Sequence, residues 1–566
     1  YRSVLRKCFL INVGVFALGM TAAQAAVTVD DYQKVLDALA DSADADIIFN
    51  ANGNGIDLNG ANGLTVGENQ KVAFENIGTE GKSSWTNTSY NIINKGSISI
   101  SDAIFSQNKA SIVSGDKTGG GIIHNSGFIS VIENTVFDKN IGIGSNTAWG
   151  GIISNSGGVI DTIKNVSFTN NYLYTEKAAP HGGNILNFGD ENSESHIYLI
   201  DGAVFENNTM TSAANQIGGA HGVGIDNNEY GFIDKITNSK FINNKTYRTG
   251  YEEKTGNYHS SAGGLDNYNY IGEISNSLFQ GNSGEVQSAS ASASGGAIMN
   301  IYNGNGALGQ IDKISNVQFI DNHVLSENGN AHGGAISTGS ASTDKSKTSK
   351  ISIMDNVLFK GNYAKSGIDD AGAAQGGAIE NSGIISIIKG SFAKNYVESG
   401  ANASGYYRAN GGAIYNRGNI EQITGNFIQN YAKMYAGTGS SGGGAVFNNG
   451  TIDIIEGSFD GNYVVSAESG QANGGAIENS GTIKRLKNVF FSNNFAKSFG
   501  GNTYGGVLLN EKGGKVLSVN GTFKENYAKA SSIASGGVIH NEASTIGIIE
   551  ADFIGNYAES LNTSNG

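Results

Sequence analysis

The chain has 566 residues, with 83 Gly, a single Pro, a single Cys and a formal charge of −14 at pH 7. That much glycine without a Gly-X-Y register excludes a helical protein and collagen, and 39% apolar residues at regular positions argue against disorder. No basic run or stripe appears, so neither nucleic acid nor an anionic membrane is an expected partner.

The first residues read as an export signal. Arg2, Arg6 and Lys7 form a positive start, Cys8 to Met20 is apolar but short, and Ala23-Gln24-Ala25 fits a small-x-small cleavage site. Loss of residues 1–25 removes three positive charges, leaving a mature chain near −17. It also removes Cys8, so disulfides, thiol catalysis and Cys-ligated metals are not expected. No later stretch is apolar over about 18 residues, the length that a helical span needs.

Residues 26–90 are predicted to form an N-terminal cap with degenerate coils. Tyr32, Val35, Leu36 and Leu39 fall on one helical face within Asp30 to Ser42. Strand-like pieces follow at Asp46 to Phe49, Ile56 to Leu58 and Lys71 to Phe74. Asn91 to Ala110 is the first recognisable half-unit.

From residue 91 to 566 the chain repeats itself. Gly474 to Ala496 reads GGAIENSGTIKRLKNVFFSNNFA, and Gly443 to Val465 reads GGAVFNNGTIDIIEGSFDGNYVV. A Gly-Gly pair opens each unit (Gly120, Gly150, Gly182, Gly218, Gly263, Gly295 and onward to Gly536), and a Phe-x-x-Asn closes it. From Phe427 the closing mark returns every 32 residues, at 459, 491 and 523. A fixed period of this size marks a repeat architecture, in which each unit is stabilised by its neighbours.

Inside a unit the period is that of strands. After Gly-Gly-Ala comes an aliphatic residue (Ile379, Ile414, Val446, Ile477), then a variable one, then Asn. Asn381, Asn416, Asn448, Asn479, Asn510 and Asn541 are predicted to form a ladder in which amides bond from coil to coil. The variable position (Glu380, Tyr415, Phe447, Glu478, Leu509, His540) tolerates Glu, Tyr and His and is therefore expected to face water. An Ile-x-x-Ile pattern (Ile420/Ile423, Ile452/Ile455) suggests two short strands meeting at a bend. Gly390 or Gly457 then turns the chain, and Phe392 or Phe459 points back in. Three strands and three turns per unit predict an all-β parallel β-helix solenoid, with Ile stacked on Ile and Phe on Phe. Thirteen or fourteen units would make a rod on the order of 65 Å.

Variation concentrates between Asn-Tyr-Ala and the next Gly-Gly, above all at residues 245–262 and 397–410, and around 337–350. Insertions at one corner of a solenoid line one edge. Tyr247, Arg248, Tyr251, Tyr406, Tyr407 and Arg408 are contact-prone types on those expected loops. Support for catalysis is thin. His124 and His540 occupy the variable position, and His181 and His332 precede Gly-Gly in expected loops. No HExxH, GxSxG or P-loop is present. A β-helical polysaccharide lyase or glycoside hydrolase would need clustered carboxylates, whereas Glu252-Glu253 and Asp369-Asp370 are isolated pairs. No catalytic, cofactor-binding or metal-ligating residue is assigned.

Gly-Gly-Ala-[Ile/Val] at Gly295, Gly333, Gly376, Gly411, Gly443 and Gly474, alternating with Phe-x-x-Asn, resembles the repeats of chlamydial polymorphic outer membrane proteins. More broadly, the chain is similar to autotransporter (type V secretion) passengers. The resemblance implies a right-handed β-helix, exported by the signal peptide and passed through its own C-terminal β-barrel. It would be displayed at the bacterial surface or secreted, and would bind a host cell-surface or matrix protein or a glycan. The mature chain lacks the cysteines that chlamydial members tend to carry, and no barrel strands are visible. Further coils and the barrel are therefore expected beyond residue 566. A passive surface or biofilm protein is a further alternative.

Overall fold

The computed structural model describes residues 27–41, 46–50, 63–77, 90–112, 121–144, 148–176, 180–213, 220–249, 259–287, 292–302, 308–340, 348–367, 372–400, 408–435, 438–467 and 469–561. The predicted signal segment and the strand predicted at Ile56 to Leu58 lie outside them. So do the Gly120 and Gly218 marks.

Strands from successive repeats pair in parallel, residue on equivalent residue, and build four long sheets that run along the molecule, with a separate two-stranded sheet of Ala148–Trp149 and Pro180–His181. Sheet I has 24 strands, sheet II 15, sheet III 14 and sheet IV 9. One regular coil visits each in turn: Ser440–Gly442 in sheet IV, Val446–Asn448 in sheet II, Thr451–Asp460 in sheet I and Tyr463–Ser466 in sheet III. The fold is a parallel β-solenoid. With about 4.8 Å between paired strands, fourteen rungs span on the order of 60 Å.

The main core lies between sheets I and II. Val446, Ile452, Ile455 and Phe459 are wholly buried, and the same cluster continues from Val29 to Val538. Phe459 stacks face to face between Phe427 and Phe491, with ring centroids 4.5 and 4.6 Å away. Each such ring adds about 2–3 kcal/mol from burial and roughly another 1 kcal/mol from stacking. The Asn predicted as a ladder is one: Asn416 Nδ2 donates to Asn448 Oδ1 at 2.8 Å, and Asn448 Nδ2 to Asn479 Oδ1 at 2.7 Å. The Asn of Phe-x-x-Asn forms a second buried ladder. There Asn430, Asn462 and Asn494 link through side-chain bonds of 2.9 Å.

Three expectations are corrected. Each regular coil has four strands, not three, because the expected loop after Phe-x-x-Asn begins and ends as strand. Tyr396–Ser399 belongs to sheet III and Arg408–Asn410 to sheet IV. Between these sheets a second, narrower core of Ala and Val (Val397, Ala409, Ala432, Val464, Ala472) is fully buried. Its residues are small, so the apolar alternation in the sequence is faint. Second, Ile452 and Ile455 lie in one strand; the bend is a pairing that passes over Glu421 and Asp453. Gly390 and Gly457 sit inside strands of sheet I and not at turns. Third, the corner of the fourth unit is Gly222-Val223, where Gly183 N donates to Gly222 O, and not Gly218.

The Gly-Gly pair sits where the two cores meet. Gly443 has φ 62°, the left-handed region that glycine enters without steric cost. At Gly444 a Cβ would collide with the main chain of Gly475 in the next coil and of Tyr463 at the start of sheet III. The corner into sheet II and the corner into sheet III therefore touch, backbone to backbone.

The predicted helix is present at Tyr32–Asp41 with Val35 buried against the first strands, Val27–Val29 and Asp46–Asn50. Gln70 Nε2 ties it down by donating to Leu39 O at 2.8 Å. Among the described residues no helix is long and apolar enough to cross a membrane.

Candidate functional site

The variable position of sheet II does not face water. Asp226, Asp266, Met299, Glu380, Tyr415, Phe447, Glu478 and Leu509 are all buried, and His124 and His540 are half-buried. After each Gly-Gly corner, sheet II runs back beneath the strand of sheet IV that precedes it. The residue before Gly-Gly then meets the variable residue across a groove. Tyr504 and His540 show this, with rings 4.9 Å apart, as does the Ser535 hydroxyl 3.0 Å from His540 Nδ1. A position open to Glu, Tyr, Phe and His reads as exposed in a sequence. Here that variety reflects changing partners across the groove.

Its ionisable groups include two clusters joined by hydrogen bonds. In the first, His181 and His221 stack at 4.6 Å on successive rungs. Each reaches an Asp one rung further on: His181 Nδ1 lies 3.2 Å from Asp226 Oδ2, and His221 Nδ1 lies 3.3 Å from Asp266 Oδ2. The Tyr268 hydroxyl lies 2.6 Å from His221 Nδ1. Both Asp side chains are fully buried while the imidazoles keep 15% of their surface. Burial pushes the Asp226 carboxyl up to about 7, against an opposing pull from His221, and pushes His181 down to about 4. His181 and His332 lie in short strands, Pro180–His181 and Ala331–His332, and not in loops.

In the second cluster, Glu380 Oε1 accepts from Arg417 at 2.8 Å and Oε2 from the Ser337 hydroxyl at 2.9 Å. Burial alone would raise this carboxyl. The Arg417 guanidinium, with His332 and the Ser382 hydroxyl, more than offsets that and holds it below the usual range. Neither cluster lines an open cleft. A small, partly open gap of about 20 Å³ beside Asn140 and Leu173 has room for about one water. The larger hollows, such as the 450 Å³ one lined by Asn488, Phe490, Asn520 and Asp552, are shallow and open, and lie on the outer face of sheet I. Among the described residues no three His, Cys, Asp or Glu converge as a metal site.

The outer face of sheet III carries the most regular exposed feature. Tyr363, Tyr396, Tyr431, Tyr463, Phe495, Tyr527 and Tyr557 stack rung on rung at 4.8–5.2 Å. The rings are half-buried, with Tyr557 exposed on the last described rung. Lys365 Nζ lies 4.9 Å from the Tyr363 ring and pairs with Glu398 at 3.1 Å. The ridge lies at the start of the stretch expected to be loop, between Asn-Tyr-Ala and the next Gly-Gly. The Tyr-Ala-x-Ser alternation was the available signal.

Of the six residues expected to contact a partner, the three that are described lie in two different sheets. Tyr247 and Arg248 lie in the sheet III strand Lys245–Arg248, where Tyr247 is half-buried beneath Lys245 and Arg248 is buried. Alternation along the strand turns Arg248 inward, which corrects its reading as a loop contact. Arg408 is exposed at the start of a sheet IV strand. Tyr251, Tyr406 and Tyr407, with Glu252-Glu253 and Asp369-Asp370, lie outside the described residues. The ladder residues Asn381, Asn416, Asn448, Asn479 and Asn510 are buried as expected, while Asn541 is exposed on the last described rung.

The chain matches no family model, no curated protein and no solved structure.

Proposed function

We propose that this chain is an exported, surface-displayed β-helical adhesin of autotransporter type, which binds a host cell-surface or matrix protein or a glycan along its length. The observation that carries the reading is the aromatic ridge of sheet III. It offers an uninterrupted row of stacked rings over seven consecutive rungs, six of them tyrosines, with Lys365, Lys433, Lys497 and Lys529 beside it. Tyr is favoured at binding surfaces because it combines a large contact area with little lost rotamer entropy. A long row also suits an extended partner that makes the same weak contact many times. Display through the chain's own C-terminal β-barrel, and export through residues 1–25, belong to the same proposal.

The test is adhesion of the purified chain to cells, matrix proteins and a glycan array. Tyr396→Ser with Tyr431→Ser and Tyr463→Ser should lower binding at least tenfold, and deletion of residues 250–258 or 401–407 should lower it less. Full binding by the ridge variant would overturn the assignment of the ridge. Absence of binding by the parent to any surface would favour a passive structural role.

A second reading, a polysaccharide lyase or glycoside hydrolase, has one observation in its favour: Asp226, a carboxyl held near 7 in the groove beside His181. Release of reducing ends or unsaturated sugars that disappears in Asp226→Asn would establish it.

A further inference from the structure

The sheet II groove contains one arrangement twice, with opposite charge. Glu380 and Glu478 hold the same place in their rungs, between the inward aliphatic residue and the ladder Asn, and both are buried. For Glu380 both neighbouring rungs supply donors, Ser337 from the rung before and Arg417 from the rung after. For Glu478 the rung before supplies Phe447, which has no donor. The rung after supplies Glu511, two residues past Leu509 just as Arg417 stands two past Tyr415. A carboxylate stands where the other rung has a guanidinium.

Two buried oxygens at this place have no hydrogen-bond partner: Glu478 Oε2 and Asn473 Oδ1. Their residues are 1% and 3% exposed. Asn473 pairs with Gly442 in sheet IV, and Gly442 lies directly against Glu478, so the Asn473 side chain sits within electrostatic reach of this carboxyl. Gly442 makes the space. Its sheet IV neighbours are Asn410 and Asn473, and a methyl group at Gly442 would overlap Glu478 Oε2. Burial, reinforced by Glu511, pushes the Glu478 carboxyl well above its usual range, and Arg408 opposes this only from a distance. A buried carboxylate beside another is costly unless positive charge joins them.

We propose that Glu478, Glu511 and the Asn473 side-chain carbonyl bind a hard cation of the calcium type, standing where Arg417 stands against Glu380. Oxygen-only donors of this kind, two carboxylates and one amide, suit calcium, with waters and main-chain carbonyls completing the shell. So few charged ligands imply affinity of order 10⁻⁴–10⁻³ M, the range of extracellular modules. The sequence hid the site because its donors come from sheet IV, sheet II and the following rung and match no calcium-loop spacing.

The test is calorimetry and thermal unfolding of the whole chain after EDTA treatment, with CaCl₂, then MgCl₂ and NaCl, as probes. The expected result is one calcium per chain, saturating in the millimolar range and raising Tm, with a smaller response to magnesium and sodium. Glu478→Gln and Glu511→Arg should each abolish the calcium-induced shift. Glu511→Arg should also raise Tm in EDTA, because it recreates the Glu380–Arg417 pair. If Glu478→Gln fails to fold, Glu511→Arg carries the test, since Glu511 is half-buried. Absence of calcium heat in the parent would overturn the proposal, as would a calcium shift of equal size in Glu511→Arg. A parent indifferent to cations but stabilised as pH falls from 8 to 6 would place a shared proton there, which also overturns it.

Discussion

Replacing Asn462 by alanine tests whether the inner asparagine ladder holds the coils in register. Asn462 Nδ2 donates to Asn494 Oδ1 and Phe427 O, both at 2.9 Å. Its Oδ1 accepts from Asn430 N at 3.0 Å and Asn430 Nδ2 at 2.9 Å. Alanine removes all four bonds and takes away the acceptor of a buried main-chain N–H. A typical bond is worth about 1 kcal/mol net, and a buried group left without its partner costs roughly 1–3 kcal/mol, so the expected loss is about 4 kcal/mol. Repeat arrays unfold by neighbouring units, so the sharpest measurement is amide exchange at Asn430 and its rung, alongside urea unfolding. Exchange there should accelerate by at least a hundredfold, while distant rungs near Phe137 change little. Asn462→Asp keeps the acceptor but aims a carboxylate oxygen at Asn494 Oδ1 and Phe427 O. Its folded-state pKa is therefore raised, so its stability should be greatest at low pH and fall as pH rises through that value. Asn541→Ala, on the exposed last rung, should cost under about 1 kcal/mol. If Asn462→Ala unfolds within 1 kcal/mol of the parent and Asn430 exchanges no faster, the ladder contributes nothing net and the reasoning fails.

The other expectations concern the corner and the groove. Gly444→Ala should cost about 3 kcal/mol in urea unfolding through main-chain collision. Gly513→Ala, at φ 87° with nothing within 4 Å, should cost only about 1 kcal/mol of backbone strain. Arg417→Ala removes the partner of a buried carboxylate. Since Arg417 is 45% exposed, the cost at pH 7 should be about 1–3 kcal/mol. Glu380 lies below its usual pKa in the fold, so that contribution is present above about 4.5 and lost as pH falls through the lower folded value. In the His181–Asp226 pair two pH effects oppose each other. Asp226, raised to about 7, loses stability as pH rises from about 4 to 7; His181, lowered to about 4, gains it from 4 to 6.5. The contribution of this pair should therefore be nearly flat between pH 4 and 6.5, so that the parent and Asp226→Asn differ in thermal melts only by the His181 slope. Asp226→Asn should become more stable as pH rises across that interval, and a flat profile in the variant would refute the assignment.

What the sequence settled by itself is the repeat, and with it the solenoid. Gly-Gly and Phe-x-x-Asn recur because each coil meets the next through identical positions, so the side chains that stack are written in the period. The inward Ile and Phe positions and the ladder at Asn381 to Asn541 were legible for that reason, and the helix at Tyr32–Asp41 by its 3.6-residue spacing. The groove was not. Whether Glu380 or Glu478 faces water depends on how sharply Gly-Gly folds sheet IV back over sheet II, and no local pattern records that angle. Nor does the period record partners one rung apart. His181 meets Asp226 across 45 residues, and Glu380 meets Arg417 across 37. Alternation along one strand says which way a side chain points. Only the stacking of strands says what it finds there.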